Sequence, residues 1–134
     1  MENYSYKIEL SVRDYECDIQ GIVNNAVYQN YLEHARHEYL KSLGINFNEF
    51  AQKGINLVVL RVEIDYKYPL HYGDKFFIGV KMERISRIKF AFNQDIYRLP
   101  DNHQIIKGKV IGTALNTKGR PKIPEEIEKL FKKL

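Results

Sequence analysis

The chain has 134 residues, of which 44% are hydrophobic and 28% are charged, and its formal net charge is +4. This length predicts a single domain over residues 1–134 that can bury one core without disulfides. The single cysteine, Cys17, excludes an internal disulfide and a metal site built of several thiolates. Basic and acidic residues alternate along most of the chain, whereas nucleic-acid-binding proteins concentrate positive charge in a stripe. We therefore expect no nucleic-acid partner.

The N-terminus has no charged-then-apolar signal pattern, and no apolar run approaches the ~18 residues of a membrane span. These absences predict a cytoplasmic protein. The first element is a strand, because apolar and polar residues alternate from Tyr4 to Arg13 with the period of two typical of one buried face. The alternation stops at Asp14. A turn that carries Asp18 and Gly21 follows, and we interpret Gly21 as a residue with positive φ.

From Ala26 to Leu43 the apolar residues recur at helical spacing and predict one helix of about five turns. Asn24 or Asn25 can cap its start, and Gly44 can end it. The first N–H groups of a helix have no partner within the helix and attract anions. An acid or base at the preceding turn would therefore lie beside free hydrogen-bond donors. A second short helix is expected around residues 48–52.

Four further strands are predicted to bury alternate residues. Their inward positions are Leu60, Val62, Ile64, Tyr66 and Tyr68; Phe76, Ile78, Val80 and Met82; Ile88, Phe90, Phe92, Gln94 and Ile96; and Ile106, Gly108, Val110, Gly112 and Ala114. The small residues of the last strand predict close approach by a crossing helix or by a ligand. A short C-terminal helix opens at Pro124, with Ile127, Leu130, Phe131 and Leu134 on its apolar side.

The order of elements predicts an α+β fold, in which a five-stranded antiparallel sheet is wrapped around one long central helix. Long strands leave at least one edge with unpaired backbone groups, which a second copy could satisfy across a two-fold axis. We therefore expect a homodimer or a homotetramer.

The stretch from Asp18 to Tyr28, continuing through residues 33–36, resembles the signature of hot-dog-fold acyl-CoA thioesterases, in the branch of 4-hydroxybenzoyl-CoA thioesterase. Residues 66–74 and 119–126 also agree with that family, so the resemblance covers almost the whole chain. It implies a hot-dog fold, a pocket at a dimer interface, and hydrolysis of an acyl-CoA or acyl-carrier-protein thioester. No cofactor is implied, since coenzyme A is part of the substrate.

The resemblance also implies roles for individual residues. Asp18 would be the nucleophile or general base, and the backbone N–H of Asn25 would polarise the thioester carbonyl. Such a donor contributes roughly 3 kcal/mol in other acyl-transfer enzymes. Several subgroups of the family carry His or Tyr at the position of Asn25. The residues expected to contact substrate are Gly21, Asn24, Tyr28, Arg87 and Lys89.

Structural interpretations compete with these roles. Asp18 could merely stabilise its turn, Asn24 and Asn25 could be simple caps, and Cys17 is most simply a small buried thiol. The basic residues Arg84, Arg87, Lys89, Lys118, Arg120 and Lys122 are either solvated surface or contacts to coenzyme A phosphates. His34 and His37 do not match a zinc motif, so we expect no metal. Glu33 and Arg36 are spaced for a helix ion pair.

Two other functions remain open from the sequence. The first is a non-catalytic acyl-CoA-binding module. The second is a hot-dog dehydratase or hydratase, which generally needs a histidine beside the carboxylate. None of the four histidines falls in the Asp18 turn.

Overall fold

Residues 3–132 are described by a computed structural model, and they form one five-stranded antiparallel sheet with one long helix packed against it. The strands are β1 (Tyr6–Ser11), β2 (Asn56–Tyr66), β3 (Lys75–Arg84), β4 (Phe90–Leu99) and β5 (His103–Leu115). The helices are α1 (Asn25–Ser42), α2 (Phe47–Gln52) and α3 (Glu125–Phe131), and residues 14–16 form a 3₁₀ turn. The strand order across the sheet is β1-β3-β4-β5-β2. The predicted α+β architecture is confirmed.

Helix α1 begins and ends as the sequence predicts. The side chain of Asn24 caps it, since Oδ1 accepts the N–H of Ala26 at 3.0 Å, and Gly44 ends it with a φ of 83°. Its buried residues recur at helical spacing: Tyr28, Tyr31, Leu32, Ala35, Tyr39 and Leu40. One face of α1 therefore packs on the sheet, which fixes where the helix starts.

We call the sheet face that packs against α1 the inner face. Strands β3 and β4 bury most of the predicted residues there, including Phe76, Ile78 and Ile96. The exception is Ile88, which lies in the hairpin before β4 and is half-buried.

The glycines of β5 are required first by the neighbouring strands. A Cβ on Gly108 would come within 2.9 Å of the Gln94 carbonyl oxygen, and one on Gly112 within 2.9 Å of the Val58 carbonyl oxygen. The crossing helix adds to this at Gly108, where Leu32 would lie 3.3 Å away, and the Phe90 ring adds to it at Gly112, at 3.4 Å.

Tyr4 does not follow the predicted alternation. Its hydroxyl donates to Oδ2 of Asp95 at 2.5 Å, and its ring packs edge-on against Tyr97 on the outer face of the sheet. The chain bends at Ser5, before β1 begins. A Cβ on Gly79 would come within 2.5 Å of the Tyr4 ring, so only glycine leaves room for it.

Strand β2 differs from the prediction in its bounds and its buried face. It begins at Asn56, earlier than predicted, and its pairing with β5 shifts register between Val59 and Arg61. This bulge places one extra residue, Leu60, outside the ladder. Val59 and Val62 consequently share the inner face, and both are exposed, at 52% and 39%. Val62, Ile64 and Tyr66 lie on the inner face as predicted. The prediction is wrong for Leu60, which leaves the ladder, and for Tyr68, which lies beyond the strand. Much of this face is exposed because β2 is an edge strand.

Helix α3 packs beside the turn between β3 and β4. Arg84 donates two hydrogen bonds to Glu128, at 2.6 and 2.7 Å, and Ile127 is completely buried. Leu134, predicted on the apolar side of this helix, lies outside the described residues. Within residues 3–132, no helix is both long and apolar enough to cross a membrane.

Candidate active site

The turn that carries Asp18 is a small hairpin. Cys17 pairs with Val23 as an antiparallel bridge, the N–H of Asp18 donates to the Ile22 carbonyl at 2.9 Å, and the N–H of Gly21 donates to the Asp18 carbonyl at 3.0 Å. Gly21 has a φ of 81°. The predicted positive φ is confirmed, and the tight turn that it permits holds Asp18 at the surface.

The Asp18 carboxylate has one engaged oxygen and one free oxygen. Oδ1 accepts the N–H of Gln20 at 2.8 Å, an arrangement typical of an Asx turn. Among residues 3–132, no donor reaches Oδ2, and the side chain is exposed. The turn therefore orients the carboxylate while leaving Oδ2 available to a substrate or a water molecule.

The start of α1 leaves one donor available. The side chain of Asn24 accepts the N–H of Ala26, and its carbonyl accepts the N–H of Val27 at 2.9 Å. The N–H of Asn25 has no acceptor within the described part of the chain. It lies at the positive end of the helix dipole, where a developing negative charge is stabilised.

A buried carboxylate, Glu16, ties the hairpin to α1. It is 8% exposed, it accepts the hydroxyl of Tyr31 at 2.8 Å, and its carbonyl accepts the N–H of Asn24 at 3.0 Å. Arg13 adds an ion pair at 3.3 Å. Burial, and then the bond to Glu16, raise the pKa of Tyr31 above its ordinary value. Sequence reasoning missed Glu16, because a lone acid in a polar turn carries no signal of burial.

Tyr28 lies behind the site instead of on its surface. It is 2% exposed, and its hydroxyl accepts the N–H of Leu70 at 2.9 Å. Burial raises its pKa. The predicted substrate contact is corrected, because this turn of α1 faces the core. Tyr28 instead holds the segment between β2 and β3 against the helix.

That same segment brings a histidine near the turn. His71 pairs with Ile22 as an antiparallel bridge, and Ile22 in turn accepts the N–H of Asp18. Paired residues of neighbouring strands point to the same side, so Asp18 and His71 share a face with one residue between them. No hydrogen bond joins their side chains within residues 3–132. Sequence reasoning missed His71 because it lies more than 50 residues from Asp18.

The predicted phosphate contacts Arg87 and Lys89 lie elsewhere in the protomer. They occupy the hairpin between β3 and β4, whose first residue, Ile85, donates its N–H to the Lys89 carbonyl. Asp18 lies near the opposite end of β3, where Lys75 pairs with the end of β1. A ten-residue strand separates these ends by about 30 Å. We call them the hairpin end and the Asp18 end of the sheet.

Two further charged residues singled out in the sequence, Arg84 and Arg36, form hydrogen bonds within the protein. Arg84 is engaged by Glu128, which raises the pKa of the guanidinium. The predicted ion pair of Glu33 with Arg36 is wrong, since Arg36 Nη1 instead donates to Oε1 of Gln94 at 3.1 Å. No group of three metal-ligating side chains occurs among the described residues. Cys17 is half-buried, and burial raises the pKa of its thiol.

Two cavities lie along α1 beside the inner face. The smaller, of about 250 Å³, is lined by residues that include Gln29, Asn30 and Val62. The larger, of about 370 Å³, lies against the second half of α1 and is lined by residues that include Phe47 and Phe90. Asp18 lines neither cavity. Three exposed apolar side chains occur in or next to this turn instead: Tyr15 at 73%, Ile19 at 102% and Tyr72 at 67%. Tyr72 adjoins the turn because its N–H donates to the Gly21 carbonyl.

Comparison with known proteins identifies one family. The thioesterase-like superfamily matches residues 12–131. Over 127 residues the chain is 41% identical to the chloroplastic acyl-acyl carrier protein thioesterase ATL3 of Arabidopsis thaliana, covering 94% of this chain and 67% of that protein.

Solved structures agree. A thioesterase from Thermus thermophilus, complexed with coenzyme A and Zn, superposes with a TM-score of 0.81 at 29% identity, covering 95% of this chain and 97% of that one. Slr0204 of Synechocystis, a 1,4-dihydroxy-2-naphthoyl-CoA thioesterase, superposes with a TM-score of 0.90 over 96% of both chains. At 16% identity the latter likeness concerns the fold alone.

Proposed function

Since the chain belongs to the thioesterase-like superfamily and is a thioesterase, we propose that Asp18 and the helix start at Asn25 form its catalytic centre. The substrate would be an acyl thioester of coenzyme A or of acyl carrier protein. The observation that carries this proposal is that a carboxylate oxygen and a backbone N–H, neither with a partner among residues 3–132, occur in the same unit. Both belong to one hairpin-to-helix unit that Glu16 and Tyr31 brace from inside.

The chemistry requires little more than these two groups. The Asn25 N–H donates a hydrogen bond to the thioester oxygen and stabilises the negative charge that develops there. Asp18 either attacks the carbonyl carbon to form a mixed anhydride, which water then cleaves, or removes a proton from an attacking water. The leaving group is a thiolate, which needs less protonation than an amine. No cofactor is needed, since coenzyme A arrives with the substrate.

A dehydratase or hydratase has weaker support. Such a site needs a histidine working with the carboxylate, and His71 is the histidine that the fold brings near Asp18. Its Nδ1 lies 3.8 Å from Asp74, and its side chain is 56% exposed. The ring of His71 therefore lies beside Asp74, and it makes no hydrogen bond with Asp18 among residues 3–132.

The test measures thiol release from acyl-CoA and acyl-carrier-protein thioesters. Asp18→Asn should lower kcat by about 10²–10⁴-fold, the usual range for removing a general acid or base. The matched control is Asp14→Asn. Asp14 also accepts a local backbone N–H, that of Tyr15 at 2.7 Å, but it lies outside the hairpin. If Asp18→Asn retains the activity of Asp14→Asn on every substrate, the catalytic assignment is wrong.

We also propose that the working form is a dimer joined through the edge of β2. This strand leaves eleven residues of backbone at a free edge, and its apolar side chains Val59, Leu60 and Val62 are 39–52% exposed. Exposed apolar edges of this length promote pairing with another chain. A homotetramer would need a further contact between such dimers.

Antiparallel pairing of two β2 strands gives the remaining predicted residues a role. Tyr66, at one end of β2, contacts Tyr28 of α1, whereas Asn56, at the other end, pairs with Leu115 near the hairpin end. Antiparallel pairing sets the hairpin end of one copy beside the Asp18 end of the other. Arg87 and Lys89 of a second copy would then lie on the same side of the assembly as Asp18, where they could contact phosphates.

Leu60→Lys tests the dimer. A lysine on an edge strand opposes pairing, so this variant should elute as a monomer in size-exclusion chromatography with light scattering, and should lose thioesterase activity. Leu43→Lys is the control, since Leu43 is 41% exposed at the far end of α1. A monomeric Leu60→Lys protein with full activity would show that each protomer contains a complete site.

A further inference from the structure

A buried polar pair crosses the space between the sheet and α1. Gln94 projects from the inner face of β4 and is completely buried. Its Nε2 donates to the Leu32 carbonyl of α1 at 2.8 Å, and its Oε1 accepts from Arg36 at 3.1 Å. Because both ends of the amide are engaged, Gln94 has one orientation, and it fixes the position of the guanidinium.

Arg36 is otherwise poorly satisfied for a half-buried cation. Apart from the bond to Gln94, none of its N–H groups has an acceptor within the described part of the chain. It makes no ion pair there. Burial lowers its pKa, and the negative charge of Glu33 opposes that shift only in part. A charged side chain is held in such a place at a cost, so the position itself calls for an explanation.

Arg36 belongs to the lining of both cavities. Glu33, Val59 and Val110 also line both the 250 Å³ cavity and the 370 Å³ cavity. The smaller cavity begins at Gln29, one helical turn from Asn25. Together the cavities follow α1 away from the proposed catalytic centre, and we refer to the Arg36 side chain, which lines both of them, as the partition.

The position of the partition corresponds to a definite chain length. Arg36 lies eleven residues after Asn25, which is about 16 Å along a helix. With carbon–carbon bonds of about 1.5 Å, an extended acyl chain advances about 1.3 Å per bond. About twelve carbons therefore reach from the thioester carbonyl to Arg36. Beyond it the cavity is lined by aromatic side chains, namely Phe47, Phe50, Phe90 and Phe92.

We propose that Arg36, held by Gln94, is a specificity-determining residue that limits the acyl chain to about twelve carbons. The inference rests on the proposed function, because it places the acyl chain along α1 from Asn25. A longer chain must displace the guanidinium from Gln94 before its end enters the aromatic cavity. Removing the Arg36 side chain joins the two cavities and admits the longer chain.

The test compares kcat/KM for octanoyl-, decanoyl-, dodecanoyl-, palmitoyl- and stearoyl-CoA. Each additional buried methylene favours binding about fourfold. The ratio of palmitoyl to decanoyl activity should therefore rise at least about tenfold in Arg36→Ala. Gln94→Met, which keeps the side-chain volume and frees Arg36, should raise the same ratio by less. An unchanged ratio in both variants, with native circular dichroism, would overturn the proposal.

Lys109→Ala is the matched control. Lys109 precedes Val110 on β5, projects to the outer face and pairs with Glu83 at 3.1 Å, so its loss removes a cation without opening either cavity. Its palmitoyl-to-decanoyl ratio should equal that of the unmodified protein. A rise equal to that of Arg36→Ala would mean that loss of charge alone explains the effect.

Binding separates this inference from the proposed catalytic centre. Calorimetry with decanoate and palmitate needs no turnover and can be performed on Asp18→Asn protein. A shift of affinity toward palmitate on adding Arg36→Ala supports the partition even if Asp18 is not catalytic. If Arg36→Ala does not change the affinity for palmitate relative to decanoate, the role of Arg36 as a partition is refuted, whether or not Asp18 is catalytic. Where Arg36→Ala does not fold, Gln94→Met decides by the same two measurements.

Discussion

The hydroxyl of Tyr31 donates to Oε1 of Glu16 at 2.8 Å, and this bond joins the buried side of α1 to the turn that carries the candidate catalytic carboxylate. Glu16 lies two residues before Asp18, and its carbonyl also accepts the N–H of Asn24, the cap of α1. One buried residue therefore sets the position of both the hairpin and the helix start. The geometry of the site depends on a contact that touches no substrate.

Tyr31→Phe should lower the free energy of unfolding by about 1–3 kcal/mol, because a buried carboxylate loses a donor. It should also lower kcat, since the hairpin is then less firmly held to α1. Denaturant unfolding and thiol release measure the two effects. Tyr39→Phe is the control on the same helix, because the Tyr39 hydroxyl has no hydrogen-bond partner among residues 3–132. Equal effects of the two substitutions would contradict the role given to Glu16.

Asn24→Ala should destabilise the protein by about 1 kcal/mol through loss of a helix cap. It should also reduce kcat, because the free N–H at Asn25 depends on a well-ordered first turn. Asn116→Ala provides the comparison, since Asn116 Oδ1 accepts the N–H groups of Lys118 and Arg120 in a loop at the hairpin end. That variant should lose stability but not kcat. Equal loss of kcat in both would show that activity simply follows stability.

Tyr28→Phe removes the acceptor of the buried Leu70 N–H and should cost about 1–3 kcal/mol of unfolding free energy. Amide hydrogen exchange should accelerate at Leu70 and in the adjoining segment. Tyr66→Phe keeps the ring that contacts Tyr28 but removes an exposed hydroxyl, so it should have little effect. Unchanged exchange at Leu70 in Tyr28→Phe would argue against this support of the site.

Alkaline pH should destabilise the fold through its buried tyrosines. Burial is the largest cause that raises the pKa of Tyr4, Tyr28 and Tyr31 above the ordinary value of 10.0. Since the unfolded chain loses these protons first, their contribution is complete below about pH 10 and is lost as pH rises above it. Denaturant midpoints measured from about pH 8 to pH 11 should fall less steeply in Tyr31→Phe. If the midpoint falls as steeply in Tyr31→Phe as in the unmodified protein, groups other than Tyr31 govern alkaline unfolding.

The sequence alone determined the local structure and the two central residues of the candidate site. Period-two and helical spacing located the strands and α1, because each pattern reports which face of an element is buried. The caps at Asn24 and Gly44 follow from the chemistry of single side chains. The resemblance of residues 18–28 to thioesterases led to the family that residues 12–131 match.

Only the tertiary structure decided which distant residues meet. Glu16 reaches Tyr31, Tyr28 reaches Leu70, and Gln94 reaches Arg36 across 58 positions. Spacing along the chain carries no information about such pairs. A register shift between Val59 and Arg61 likewise depends on how β2 pairs with β5, not on the residues of β2 themselves. The sequence therefore identified the groups proposed for catalysis, while three-dimensional packing decided which residues hold them in position and where the cavities proposed for the acyl chain lie.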